Sequence, residues 1–232
     1  MAEDECHTSA LGSKEFWDER YALELSNFEE NGDEGEIWFG KSAETRMVKF
    51  LESAVSKEAR ILDVGCGNGS LLRRLRAKGY SCLKGIDYSS DAIVLAEKSS
   101  NVDIDSSCPK IEFEVADMVT TSLPDDMHGQ FDVVLDKGTW DAISLGENRS
   151  ERLANYRRSI HQCLSPVNSS PQSASTTKYF VIVSCNFTKD ELIQQFSSPD
   201  AFQFHADIPA AHTISFGGQS GVTSTGVVFV PS

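Results

Sequence analysis

Asp63, Gly65, Gly67 and Gly69 occupy alternate positions directly after the apolar pair Ile61-Leu62. Glycines at this spacing let a backbone turn sharply out of a strand and approach a ligand with no β-carbon in the way. The acid ahead of them selects the ligand, because a carboxylate at that point repels a pyrophosphate and suits an ammonium. A dinucleotide fingerprint would also require glycine at position 70, where Ser70 stands. Asp87, 24 residues after Asp63, ends the next apolar run, where a carboxylate can take both hydroxyls of a ribose. Tyr88 beside it can flank the base. One acid for an ammonium and one for a ribose describe a nucleoside that carries an amino acid.

Two more acids end later apolar runs. Asp117 can accept an adenine amino group, and the Met118 backbone N–H can donate to ring N1. Asp136, in the run Asp136-Lys137-Gly138-Thr139-Trp140-Asp141, is expected with Trp140 at the reacting end of the ligand, facing the incoming acceptor. From the N-terminal segment, Trp17, Arg20, Tyr21 and Trp38 are expected to form the opposite wall. Aromatic faces there would attract a cation by about 0.5 to 2 kcal/mol.

Alternating strands and helices must position these groups. Met47, Val48, Leu51, Ala54 and Val55 recur at helical spacing and predict a helix over 41–56 ahead of the first strand. Strands are expected at 59–63, 81–86, 111–116, 131–136 and 179–184, and helices at 69–78, 89–98, 149–164 and 188–196. Gly79 stops the first of these helices, Ser89 or Ser90 caps the second, and Thr188 with Glu191 forms a capping box at the last. The near-continuous apolar strands suit parallel strands covered on both faces. The expected fold class is therefore α/β, with a doubly wound, mostly parallel seven-stranded sheet and a C-terminal β-hairpin. The hairpin uses runs at 202–205 and 214–216, a turn at 217–221 and a last strand at 222–230. The domain spans 13–232, with 13–57 as N-terminal lid and helix; 165–177 is a Ser/Thr/Pro surface loop and 1–12 an acidic flexible tail.

A chain of 232 residues, 40% hydrophobic with 21 aromatics, can bury one sizeable core. No apolar run approaches the roughly 18 residues of a membrane span. The net charge is −14, and residues 1–36 hold twelve acids against two bases. Nucleic-acid affinity rests on Lys and Arg neutralising phosphates, so no direct nucleic-acid partner is expected. Six aromatics between residues 16 and 39 argue that the acidic segment packs on the domain from residue 13 onward. The cysteines are scattered, with no paired spacing and no histidine at ligand distance, which predicts reduced thiols and no metal. An acidic start with no apolar stretch behind it predicts cytoplasmic residence, nuclear residence staying open.

The Asp63–Gly69 loop resembles the first motif of the class I S-adenosylmethionine (AdoMet) dependent methyltransferases, whose fold is Rossmann-like. The resemblance narrows over nearly the whole chain. The runs are Leu11-Gly12-Ser13-Lys14-Glu15-Phe16-Trp17, Gly35-Glu36-Ile37-Trp38-Phe39-Gly40, Gly85-Ile86-Asp87-Tyr88, Leu135-Asp136-Lys137-Gly138-Thr139-Trp140-Asp141, Ser184-Cys185-Asn186-Phe187-Thr188 and Ser215-Phe216-Gly217-Gly218-Gln219. They are similar to the eukaryotic lysine methyltransferases that modify translation elongation factor 1-alpha. The resemblance implies AdoMet as cofactor, a lysine of that protein as acceptor, and a chain acting as a monomer in the cytoplasm. It would make Asp136 the group that orients the lysine ammonium and Trp140 a wall of its channel. A small-molecule methyltransferase of the same fold and a catalytically silent AdoMet-binding subunit both stay open.

Overall fold

A computed structural model describes residues 9–102, 105, 107–119, 123–124, 127–165, 177–198, 201–210, 214–216, 219–221 and 223–232. The expected loop at 165–177 and most of the acidic tail therefore lie outside the described residues. Five parallel strands form one side of the sheet: β1 (Arg60–Val64), β2 (Cys82–Asp87), β3 (Glu112–Val115), β4 (Val133–Lys137) and β5 (Tyr179–Ser184). β6 (Phe202–Asp207) and β9 (Thr225–Pro231) complete it antiparallel, in the order β3-β2-β1-β4-β5-β9-β6. All six residues of β5 are buried, as a central strand covered on both faces requires.

Register sorts the side chains onto two faces. Successive residues of a strand point to opposite sides, and Asp63 pairs with Leu135 and Gly85 while Val64 pairs with Asp136 and Ile86. Ile61, Leu83, Val133, Leu135 and Val181 pack on one face with α2 (Gly40–Ala54) and α3 (Ser70–Ala77). Leu62, Val64, Val134, Phe180 and Ile182 pack on the other, with α5 (Thr139–Ser144), α6 (Arg149–Leu164) and α7 (Lys189–Phe196). The Thr188–Glu191 capping box is present, both halves made.

Three expectations are corrected. Residues 217–221 are not simply a turn: β8 (Gln219–Gly221) pairs with β7 (Ile214–Phe216) as a separate two-stranded sheet between β6 and β9. The last strand starts at Thr225 rather than 222. The tail does not reach residue 12, because Ala10–Gly12 is a 3-10 turn and the Ser9 N–H donates to the Leu145 carbonyl at 3.1 Å.

The acidic N-terminal segment is a helix, α1 (Lys14–Asn31), capped by Ser13 and ended by Gly32 at φ 72°. Trp17, Tyr21, Leu25 and Phe28 line the stripe it lays on Ala92 and Leu95 of α4 (Ser90–Ser100), while Glu15, Glu19, Glu29 and Glu30 are exposed and Glu24 is buried.

Candidate active site

Residues that directly follow the first four strands line one cavity: Gly65 to Asn68 after β1, Asp87 and Tyr88 at the end of β2, Ala116 to Val119 after β3, and Lys137 to Thr139 at β4. Gly65, Gly67 and Gly69 stand at φ 64°, 52° and 72°, backbone that L side chains rarely adopt. A β-carbon on Gly65 would lie 2.1 Å from Thr139 Oγ1, and one on Gly67 would lie 2.5 Å from the Tyr21 hydroxyl. The glycine turn is thus wedged between α5 and the N-terminal helix.

The loop between α1 and α2 is clamped over this turn. Asn68 Nδ2 donates to the Glu34 carbonyl at 2.8 Å, and Lys137 Nζ donates to the Trp38 carbonyl at 3.0 Å. Trp17 meets Trp38 edge-on at 4.8 Å between ring centroids. Leu11, Trp17, Tyr21, Trp38 and Phe39 consequently line the cavity.

The carboxylates are tuned by burial. Asp87 accepts from the Gly67 N–H at 3.1 Å and the Ser89 N–H at 3.0 Å, yet desolvation still lifts it to about 6. Asp63, 2% exposed, is not itself among the residues of the wall, which is reached two residues on at Gly65. Desolvation pushes its carboxyl up to about 8 against the pull of the Lys137 ammonium. An AdoMet molecule suits this set on three observations: a buried carboxylate that lacks a close cation of its own beyond Lys137, a backbone cradle that a β-carbon would fill, and an indole N–H of Trp38 that is buried with no partner among the described residues. Asp63 would face the ammonium, Asp87 the ribose, and Asp117 and Met118, both on the wall, the base.

Three assignments fail, two of them through burial in the core. Asp136 and Trp140 are 0% exposed and belong to the core, not the cavity. Asp136 shares the face of Val64 and Ile182, so its side chain points into the α5–α6 layer. There it accepts from the Thr139 N–H at 2.8 Å, the Trp140 N–H at 3.0 Å and the Tyr156 hydroxyl at 2.6 Å. Burial outweighs these bonds and raises its pKa to about 7. Trp140 packs on Phe196, Phe187 and Tyr156 with centroids 4.5, 5.9 and 6.0 Å away. Arg20 is also absent from the wall: its guanidinium bonds Glu24 and Glu36, each at 2.8 Å.

Asp141 and Asn186 are on the wall instead. Asp141, 5% exposed, accepts from the Ser184 hydroxyl at 2.5 Å, the Cys185 N–H at 2.7 Å and the Asn186 N–H at 3.3 Å. It thereby fixes the turn after β5 that presents Asn186, and burial raises its own pKa. Asn186 follows the fifth strand end and was open to the same argument as the acids at the first four. Nothing in the sequence singles out Leu145 or Arg152, which also line the cavity.

Known proteins agree with this architecture. A family model described as "Methyltransferase domain" matches residues 55–212. "EEF1A lysine methyltransferase 2" of Danio rerio is 37% identical over 223 residues, covering 95% of this chain and 88% of that protein. "Protein-lysine N-methyltransferase EFM4" of Saccharomyces cerevisiae is 37% identical over 236 residues, covering 96% and 95%. Among solved structures, the N-methyltransferase NodS of Bradyrhizobium japonicum, in complex with S-adenosyl-L-homocysteine, superposes with a TM-score of 0.61 at 14% identity over 93% of this chain and 98% of that one, a likeness of fold.

Proposed function

The chain belongs to the methyltransferase family of EEF1A lysine methyltransferase 2 and yeast EFM4, and we propose that it methylates a lysine of translation elongation factor 1-alpha. The observation that carries this reading is 37% identity to those proteins over matches that span nearly the whole chain.

AdoMet, when bound, supplies a methyl carbon on a sulfonium that an amine can attack in line. The chain's own residues hold and align. Asp63 would pair with the cofactor's ammonium and Asp87 would take its ribose hydroxyls, while the Tyr21 hydroxyl packs against Gly67 of the glycine turn. A free lysine presents a neutral amine only about once in two thousand molecules at pH 7. Trp17, Trp38 and Phe39 exclude water from the acceptor path, and Lys137 on the same wall disfavours a second positive charge; both effects lower the acceptor's pKa. Asn186 offers a side-chain oxygen for an amine N–H, held in place by Asp141. Holding reactants in near-attack geometry can supply roughly 7 to 11 kcal/mol, so no strong base is needed. Asp136 acts one layer back, as the anchor of α5. We place the reaction in the cytoplasm, with a single chain acting on a protein; the net charge of −14 disfavours nucleic acid.

The test is incubation of the purified chain with methyl-labelled AdoMet and unmodified elongation factor 1-alpha, followed by peptide mass spectrometry. Label on a lysine is expected. Label appearing only in small metabolites of an added extract would overturn the protein substrate, and AdoMet binding with no transfer at all would favour a silent subunit.

A further inference from the structure

Gly12 and Gly146 lie far apart in sequence, and neither has the positive φ that calls for glycine. Their backbones touch instead. A β-carbon on Gly12 would stand 2.3 Å from the Gly146 nitrogen and 2.3 Å from the Leu145 carbonyl carbon. One on Gly146 would stand 2.7 Å from the Gly12 oxygen and 2.5 Å from Arg152 Nη1. At Gly12 every near atom is backbone and cannot give way; at Gly146 the Arg152 end can swing aside but the Gly12 oxygen cannot.

Hydrogen bonds frame this contact. The Ser9 N–H donates to the Leu145 carbonyl at 3.1 Å, and Arg152 Nη1, from the first turn of α6, donates to the Gly12 carbonyl at 3.4 Å. On the other side Trp17 Nε1 donates to the Leu11 carbonyl at 2.8 Å, which ties the strap to α1. Leu11, Leu145 and Arg152 all line the cavity, whose base end is formed by Asp117, Met118 and Tyr88. Residues 9–12 are thus a strap across that cavity, fastened at a point where only glycine fits.

We propose that the Gly12–Gly146 contact, with Arg152 as its hydrogen-bonding partner, is a latch that positions the N-terminal strap over the cofactor and sets how fast cofactor enters and product cofactor leaves. The proposal rests on the AdoMet reading of the cavity. Arg152 is a positioning residue that acts through Gly12. Opening the latch frees Leu11 from the wall while α1 and the glycine turn stay in place, so exchange responds to the latch and the acceptor side does not.

The experiment is stopped-flow release of S-adenosylhomocysteine from the full chain, read by tryptophan fluorescence, with kcat and the KM for AdoMet measured beside it. Gly12→Ala is expected to speed release by about tenfold or more and to raise KM without lowering kcat, since such changes fall mainly on dissociation rates. Gly79→Ala is the control for general destabilisation: Gly79 has φ 89° and open space where its β-carbon would be, so it costs stability away from the strap. Release unchanged in a folded Gly12→Ala, or equally fast in Gly79→Ala, overturns the latch. Should Gly12→Ala fail to fold, Arg152→Ala decides, with release about threefold faster expected and unchanged release contradicting the proposal. Wild-type chain that binds neither AdoMet nor S-adenosylhomocysteine would instead sink the cofactor reading itself.

Discussion

At the cofactor end of the cavity the wall comes from strand termini in consecutive βα units, and each contributes a short contiguous run: 65–68, 87–88 and 116–119. At the acceptor end it comes from pieces far apart in the chain, Trp38, Lys137, Asp141 and Asn186 among them, brought together by packing. Both ends carry buried acids, but what those acids do differs. Asp63 and Asp87 lie on the sheet face that α2 and α3 cover, next to the glycine turn. Asp136, one residue out of step with Asp63 in the register, lies on the opposite face and binds the helix N-terminus behind the wall. A one-residue offset moves a strand-end side chain to the other face. A carboxylate at a strand end is therefore a ligand group or a structural anchor according to its parity.

The largest effect that would break this comparison is at Asp136. Asp136→Ala leaves the Tyr156 hydroxyl and two backbone N–H groups unpaired in the core, and should cost about 3 kcal/mol or more of stability in thermal or denaturant unfolding. Asp136→Asn should recover part of it. An inactive Asp136→Ala with unchanged stability would return this residue to the reacting centre.

Next in size is the acceptor end. Asn186→Ala should reduce methylation about a hundredfold in steady-state assays while AdoMet affinity stays within a few-fold, the pattern of an interaction made with the acceptor alone. A loss of AdoMet binding instead would merge the two halves. On the cofactor side Asp87→Ala should weaken AdoMet by about 1.5 to 3 kcal/mol in calorimetry, the range for hydrogen bonds to a charged group. Unchanged affinity would remove Asp87 from the site. The smallest effect is Arg20→Ala. Its guanidinium is a third exposed and off the wall, and it pairs with the buried Glu24 and with Glu36 of the wall, so AdoMet affinity should change by less than a few-fold and stability by about 1 kcal/mol, the Glu24 carboxylate being left without its partner.

The same contrast explains what was legible in the sequence. Alternation of apolar strands and amphipathic helices, glycines at fixed steps and acids at strand ends are local signals, and they located the five parallel strands and Gly65, Gly67, Asp87, Tyr88, Asp117 and Met118 on the wall. Trp17, Tyr21 and Trp38 were also legible, because aromatics in a strongly acidic segment must be buried somewhere. The helical stripe Trp17, Tyr21, Leu25, Phe28 was there to be read as well, but the charges between its members mask it. Asp136 and Trp140 misled because nothing local reveals which face a strand end presents once the sheet register is unknown. The Gly12–Gly146 contact joins two loops and leaves no periodic trace, and the β7–β8 pair interrupts what reads as a simple hairpin.

The central claim is that register gives Asp63 to the cofactor and Asp136 to the core, and proton release on AdoMet binding tests it most directly. Asp63 has a pKa raised to about 8, so near pH 7 it holds a proton in the free protein. That proton favours the folded state at low pH, and the stabilisation fades as pH rises through about 8. Pairing with the cofactor ammonium should ionise it, and calorimetry at pH 7 in buffers of different ionisation enthalpy should then report release of close to one proton. The account predicts that this release disappears in Asp63→Asn and persists in Asp136→Asn. Release that persists in Asp63→Asn and disappears in Asp136→Asn would contradict it.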